Sequence, residues 1–188
     1  MPSGWRRTTN MRNPFQILGL APTFALDPSE LERRQRDLNR ALHPDRHAGR
    51  SPAERRESLS RAMDINQACR VLRDPAARAE ALFELLGLRE VAERTVNDPA
   101  LLGEMLEQRE MLDEARREKD NGRLHALKLD NEERRRRVEA ALAAAFGPLV
   151  EAGPPARGAE LEAARRLYGE LKYVRRFGEE VAAIEDEM

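Results

Sequence analysis

The chain has 188 residues, of which 33 are basic and 34 acidic, and its net charge of -1 argues against a general nucleic-acid-binding protein. Hydrophobic residues make up 40% of the chain, charged residues 36% and aromatic residues only 4%, which is typical of helices with narrow apolar stripes and wide solvated faces. The single cysteine, Cys69, excludes an internal disulfide and a cysteine-rich zinc or iron–sulfur site within the chain, and no run approaches the roughly 18 apolar residues of a membrane span.

The first 12 residues contain arginine and threonine but no acidic residue, and we expect them to form a disordered tail. A translation start at Met11 and a short targeting peptide are the alternatives for this segment. The following residues 13–20 (NPFQILGL) predict a short helical turn.

The next two helices share one start signal: a capping side chain, a proline at the first helical position and a glutamate three residues after the cap. These residues are Asp27, Pro28 and Glu30 for a helix that reaches Leu42, and Ser51, Pro52 and Glu54 for a helix that reaches about Arg73. The pair predicts an antiparallel helical hairpin.

The tip of this hairpin, residues 43–50, contains the tripeptide His43-Pro44-Asp45 followed by Arg46. Pro44 disfavours helical geometry at His43, so the tripeptide is expected in an exposed loop. Any helical hairpin needs such a turn, and the tripeptide alone therefore does not identify a function. His43, Asp45 and His47 are also ligand types for a metal ion, although a closed site needs more ligands than these three.

The rest of the chain predicts an apolar helix over 74–87 and then three longer helices, over Pro99 to about Lys119, Arg123 to Ala145 and Ala159 to about Ile184. The stretch 147–158 (GPLVEAGPPARG) is expected to end the second of them. The fold class is therefore all-α, with an N-terminal hairpin and a C-terminal antiparallel three-helix bundle. The predicted divisions are the tail 1–12, a domain 13–75, a linker helix and connection 76–98, and the bundle 99–188.

The helix from Pro99 carries two apolar stripes. At about 100° per residue, one stripe is suited to the bundle core and consists of Leu101, Met105, Gln108, Leu112 and Ala115. Leu102 and Leu106 form a second stripe roughly 100° away, and Glu107 and Glu110 lie further round. Exposed leucines beside acidic residues are typical of a protein-binding patch, whereas a helix packed on two sides would bury both stripes.

Three segments together resemble a J-domain, the module that stimulates ATP hydrolysis by DnaK-type chaperones: NPFQILGL, LERRQRDLNRALHPDR and DINQACRVLRDPAARAEALF. The resemblance continues through DPAARAEALFELLG, TVNDPALLGEMLEQREMLDEA and LKYVRRF into the HscB-type co-chaperones of iron–sulfur cluster assembly. It covers nearly the whole chain from Asn13.

The resemblance implies two binding surfaces and no catalysis, metal or cofactor in this chain. His43, Pro44 and Asp45 would trigger hydrolysis on the chaperone, and the bundle would hold an IscU-type scaffold protein. The family's scaffold contacts map onto Leu102, Leu106, Glu107, Glu110 and Tyr173. Three positions depart from the family pattern: Arg46 replaces a common lysine, Leu42 a common aromatic and Gly103 a larger apolar residue.

The hairpin is locally basic, and complementary charge would speed its encounter with an acidic chaperone surface. The basic residues expected on this surface are Arg33, Arg34, Arg36, Arg40 and Arg46. A solvated helix face is the alternative, because all but three of the 33 basic residues are arginine.

A bacterial cytoplasmic location is expected, ahead of the mitochondrial matrix. The alternative functions are a general J-domain co-chaperone for unfolded clients and a structural helical adaptor, but the glycine-rich linker and zinc repeats of general J-proteins are missing.

Overall fold

The computed structural model describes residues 13–42, 51–89 and 98–187, and this part of the chain is helical without any strand. The all-α prediction is confirmed. The helices are α1 (Pro14–Leu18), α2 (Pro28–Ala41), α3 (Pro52–Arg73), α4 (Pro75–Leu85), α5 (Pro99–Glu118), α6 (Asn121–Ala152) and α7 (Ala159–Glu187). Within the described residues, none of them has the length and apolar character needed to cross a membrane.

The predicted start signals set the helix boundaries. The Asp27 carboxylate accepts a hydrogen bond from the Ser29 N–H at 2.9 Å and so caps α2. At α3 both halves of a capping box form, because the Ser51 hydroxyl accepts from the Glu54 N–H and the Glu54 carboxylate accepts from the Ser51 N–H. Asp74 ends α3 and caps α4.

The described helices belong to two compact units, Met1–Leu88 with Val150–Ala156 and Arg89–Leu149 with Arg157–Met188. Helix α4, which the sequence assigns to a linker, groups with the first unit. In that unit α1, α2 and α4 each pack against α3. Its core includes the fully buried side chains of Phe15, Leu72, Leu82 and Phe83, and Cys69 is buried as well.

The second unit contains the predicted bundle helices. The chain reverses between α5 and α6 at Lys119, whose φ of 54° is left-handed. A hydrophobic cluster is formed by Leu112 from α5, Leu124 from α6 and three residues of α7, which are Phe177, Val181 and Ile184. Residues from all three helices therefore share one core.

The predicted end of α6 at Ala145 is wrong, because the helix continues through Gly147 and Pro148 to Ala152. Pro148 lacks an N–H and so leaves the Ala144 carbonyl without its helical donor. Ala144 is exposed, which lets water satisfy that carbonyl. The helix ends before Gly153, whose φ of 70° favours glycine.

Candidate functional site

The residues of the predicted chaperone-binding surface fall into two groups. His43, Pro44, Asp45 and Arg46 lie outside the described residues, as does His47 of the metal alternative. Among the described residues there is no group of three or more side chains that could hold a metal ion.

The other four arginines of this surface lie exposed on α2: Arg33, Arg34, Arg36 and Arg40. Two of them form ion pairs within the helix, Arg33 with Glu30 at 3.7 Å and Arg36 with Glu32 at 3.6 Å. Exposed pairs of this kind contribute little to stability, so the arginines remain accessible to an acidic partner.

Side-chain amides hold α2 against α3 beside this basic face. The Asn66 side-chain oxygen accepts hydrogen bonds from Gln35 at 3.1 Å and from Asn39 at 3.4 Å. Gln35 in turn accepts from the Arg73 guanidinium at 3.3 Å. We name these four residues the amide seam; its exposed side chains join α2 to α3.

The second predicted surface lies on α5. Leu101, Leu112 and Ala115 are buried, whereas Leu102 is 47% exposed and Leu106 is 60% exposed. The alternative in which α5 buries both stripes is therefore not what the structure shows. Glu107 and Glu110 are exposed as well, so two leucines with acidic neighbours form an accessible surface, which we name the leucine face. A Cβ at Gly103 would meet nothing within 4 Å, and the backbone is open where the family has a larger side chain.

Tyr173 of α7 is half-buried and bonded to α5. Its hydroxyl donates a hydrogen bond to the Met105 carbonyl at 3.0 Å, and its ring stacks on Phe177 with centroids 5.8 Å apart. Burial raises the pKa of the Tyr173 phenol, an effect that the charge of Arg134 opposes. The ring is thus tied to the turn of α5 that carries the leucine face.

The structure adds a residue that the sequence analysis did not single out. Arg134 of α6 has a side chain only 11% exposed, and it forms ion pairs with Glu170 of α7 at 2.8 Å and Glu104 of α5 at 2.9 Å. It lies in a run of four arginines, but its spacing from the buried Asn131 and Val138 places it on the core face of α6. That spacing is the signal that could have identified it.

Two helical units, one with a basic hairpin and one with exposed leucines among acidic residues, define a class of helical proteins that bind other proteins. Residues 97–182 match the family described as the HSCB C-terminal oligomerisation domain. A co-chaperone protein HscB homolog from Bordetella pertussis is 43% identical over 129 residues, which is 68% of this chain and 75% of that protein. The homolog from Bordetella petrii is 44% identical over 103 residues, 54% of this chain and 61% of that protein.

The solved structures agree with these relatives. Chaperone HscB from Vibrio cholerae has a TM-score of 0.72 and 32% identity, and the match covers 94% of this chain and 99% of that one. Human co-chaperone HscB also has a TM-score of 0.72, over 96% of this chain and 86% of that one, and its 19% identity shows a shared fold. The chain belongs to the HscB family of co-chaperones.

Proposed function

We propose that this co-chaperone binds an IscU-type iron–sulfur scaffold protein and stimulates the ATPase of a DnaK/HscA-type chaperone, which promotes cluster transfer to acceptor proteins. It would act in the bacterial cytoplasm, as a binding protein rather than an enzyme. The single observation that carries the proposal is the leucine face: α5 buries Leu101, Leu112 and Ala115 in the core but leaves Leu102 and Leu106 accessible beside two carboxylates.

Each of the two surfaces would bind a different partner. The first unit would dock on the chaperone through the basic face of α2, with His43, Pro44 and Asp45 as the trigger for hydrolysis. The leucine face, with Glu107, Glu110 and the Tyr173 ring, would hold the scaffold. An apolar centre with a charged rim gives a protein interface both affinity and orientation. A protein that carries both surfaces can bring the scaffold to the chaperone at the moment when ATP is hydrolysed.

Calorimetric titration with a purified IscU-type scaffold tests the leucine face. Replacing both leucines, Leu102→Ala with Leu106→Ala, should weaken binding by about tenfold or more, because central apolar side chains dominate such interfaces. The helical content and the melting temperature should stay close to those of the unchanged protein, since exposed side chains contribute little to stability.

The matched control is Leu129→Ala, which truncates a leucine that is 52% exposed on α6. This variant should bind the scaffold as the unchanged protein does. Equal binding by the double variant and the unchanged protein would refute the scaffold site. Strong binding of denatured clients, with none of the scaffold, would favour the general J-domain co-chaperone instead.

The chaperone surface is tested by the single-turnover ATPase rate of a DnaK/HscA-type chaperone. His43→Gln should return the rate to its unstimulated value while scaffold binding is retained. Charge reversal at Arg33 and Arg36 should lower the stimulation mainly at low salt, because screening weakens electrostatic encounter. Full stimulation by the His43 variant would refute the assigned trigger.

A further inference from the structure

Arg134 is placed where it contacts all three helices of the bundle. Its Nε donates to Glu170 of α7 at 2.8 Å and its Nη2 donates to Glu104 of α5 at 2.9 Å. Its Nη1 also approaches the Gln108 side-chain oxygen of α5 at 3.5 Å. A planar guanidinium with several donors can join three partners in one fixed geometry, which a lysine cannot do.

The surroundings make this contact strong. Burial opposes the charge of the guanidinium, but the hydrogen bonds and charges of Glu170 and Glu104 outweigh it and raise the pKa of Arg134 above its ordinary value. Glu170 is itself only 13% exposed, so the pair lies largely out of water. Charge-assisted hydrogen bonds in such surroundings are directional, and they fix where α5 lies relative to α6 and α7.

The contacts of Arg134 and Tyr173 fall on the turns of α5 that carry the leucine face. Glu104 lies midway between Leu102 and Leu106 in sequence but about 200° round the helix from Leu102. Arg134 therefore holds α5 from the side opposite the exposed leucines. Tyr173 holds the same turn through the Met105 carbonyl, and Arg109 pairs with Glu180 of α7 at 3.3 Å one turn further on.

From these contacts we infer that Arg134 is a positioning residue for scaffold binding: it fixes α5 so that Leu102, Leu106 and the Tyr173 ring form one preorganised surface. The inference rests on the proposed function of the leucine face. Preorganisation of this kind increases affinity without adding a contact, because the surface is ordered before the partner arrives.

Two variants of the full chain distinguish an effect of Arg134 on the position of α5 from an effect on the stability of the bundle. Arg134→Met leaves Glu170 buried without its cation, so it should lower both the melting temperature and the scaffold affinity. Arg134→Met with Glu170→Leu replaces the ion pair by apolar side chains, which commonly restores stability. The adjoining cleft of about 340 Å³ is lined partly by Val138, Ala141 and Leu167, and it offers apolar neighbours to the new side chains.

The expected result is that the double variant regains its melting temperature but still binds the scaffold about tenfold more weakly, since Glu104 of α5 has lost its bond to Arg134. The affinity is measured by titration calorimetry below the unfolding transition of each variant. Arg136→Met is the matched control, an arginine of the same helix with a side chain 72% exposed, and it should bind normally. Glu104→Gln, whose side chain is 60% exposed, keeps the bundle folded and should weaken binding by about twofold.

Three outcomes overturn the inference. Normal affinity in the double variant would show that Arg134 serves stability alone, provided that the Leu102→Ala and Leu106→Ala variant has lost binding. Normal affinity in that leucine variant would refute the proposed scaffold site, and the inference would fall with it. If neither arginine variant folds, normal affinity of the Glu104 variant is the contradicting result.

Discussion

The two units place their interhelical polar contacts differently. In the first unit the amide seam joins α2 and α3 at the surface, through Asn66 and its partners. The bundle has surface ion pairs between its helices too, but it also has polar contacts inside: Asn131 is only 5% exposed and donates to the Val174 carbonyl of α7 at 3.1 Å. Arg134 adds a largely buried cation to the same interior.

This difference concerns how strictly each unit fixes its helices. A surface amide bond that breaks is replaced by water, so the amide seam adjusts at little cost. A buried polar group has no such replacement, and helices joined through it have one favoured register. The relative positions of the helices are therefore fixed more strictly in the unit that carries the leucine face than in the first unit. The spacing of α2 and α3 can change at a lower cost.

The largest expected effect on stability comes from Gly178 of α7. A Cβ at this position would lie 2.9 Å from the Asn131 side-chain nitrogen, so Gly178→Ala forces the buried amide to move. Overpacking of this kind costs about 1–3 kcal/mol of unfolding free energy. Urea unfolding followed by circular dichroism measures the loss.

Gly103→Ala is the matched control on α5, where a Cβ meets nothing within 4 Å. It should stabilise the protein by about 0.5–1 kcal/mol, because alanine favours a helix over glycine. Adding Asn131→Ala to Gly178→Ala should recover part of the loss. A small effect of Gly178→Ala would show that the buried Asn131 amide can move at little cost, against a strict fixing of the bundle helices.

A smaller effect is expected from alkaline pH. Because burial raises the pKa of the Tyr173 phenol, the folded state keeps its proton when the unfolded state begins to lose it above a pH of about 10. The contribution of the hydroxyl is thus complete below that pH and is lost as pH rises through the folded pKa. The difference in unfolding free energy between the unchanged protein and Tyr173→Phe should narrow from a pH of about 10 upward.

Tyr168, the other tyrosine, is present in both proteins, so its titration cancels in the comparison. Unfolding in urea at several alkaline pH values measures the difference. A difference in unfolding free energy that stays constant to the end of the accessible pH range would show that burial does not keep the Tyr173 phenol in its neutral form.

The smallest effect is expected in the amide seam. Asn66→Ala removes the shared acceptor of Gln35 and Asn39, but both donors can bond to water instead, and the cost should stay within about 0.5 kcal/mol. The same urea experiment measures it. A loss as large as that of Gly178→Ala would contradict the distinction between the two units.

Much of the fold could be predicted because its helix starts are local. Pro28, Pro52, Pro75 and Pro99 each follow a capping side chain, and each is the first residue of a helix. The end of α6 could not be predicted, because whether Pro148 stops a helix depends on access of water to one carbonyl. Whether water reaches the Ala144 carbonyl depends on the surrounding structure and not on the neighbouring residues in the sequence.

The candidate site could also be predicted only in part from the sequence. Helical spacing separated Leu102 and Leu106 from the core stripe, and the structure exposes both. Helical spacing from Asn131 and Val138 could have placed Arg134 on the core face of α6, but it does not reveal the partners of the guanidinium. These partners lie on α5 and α7, more than 25 residues away along the chain.

The capping box at Ser51 and Glu54 gives α3 a self-contained beginning. Its first backbone donors are satisfied by two side chains that follow residues 43–50 in the chain. The start of α3 at Pro52 is therefore set by side chains of the helix and its cap. A tripeptide segment from a relative is expected to fit between Leu42 and Ser51 without redesign of α3, so this segment could change in evolution independently of the leucine face.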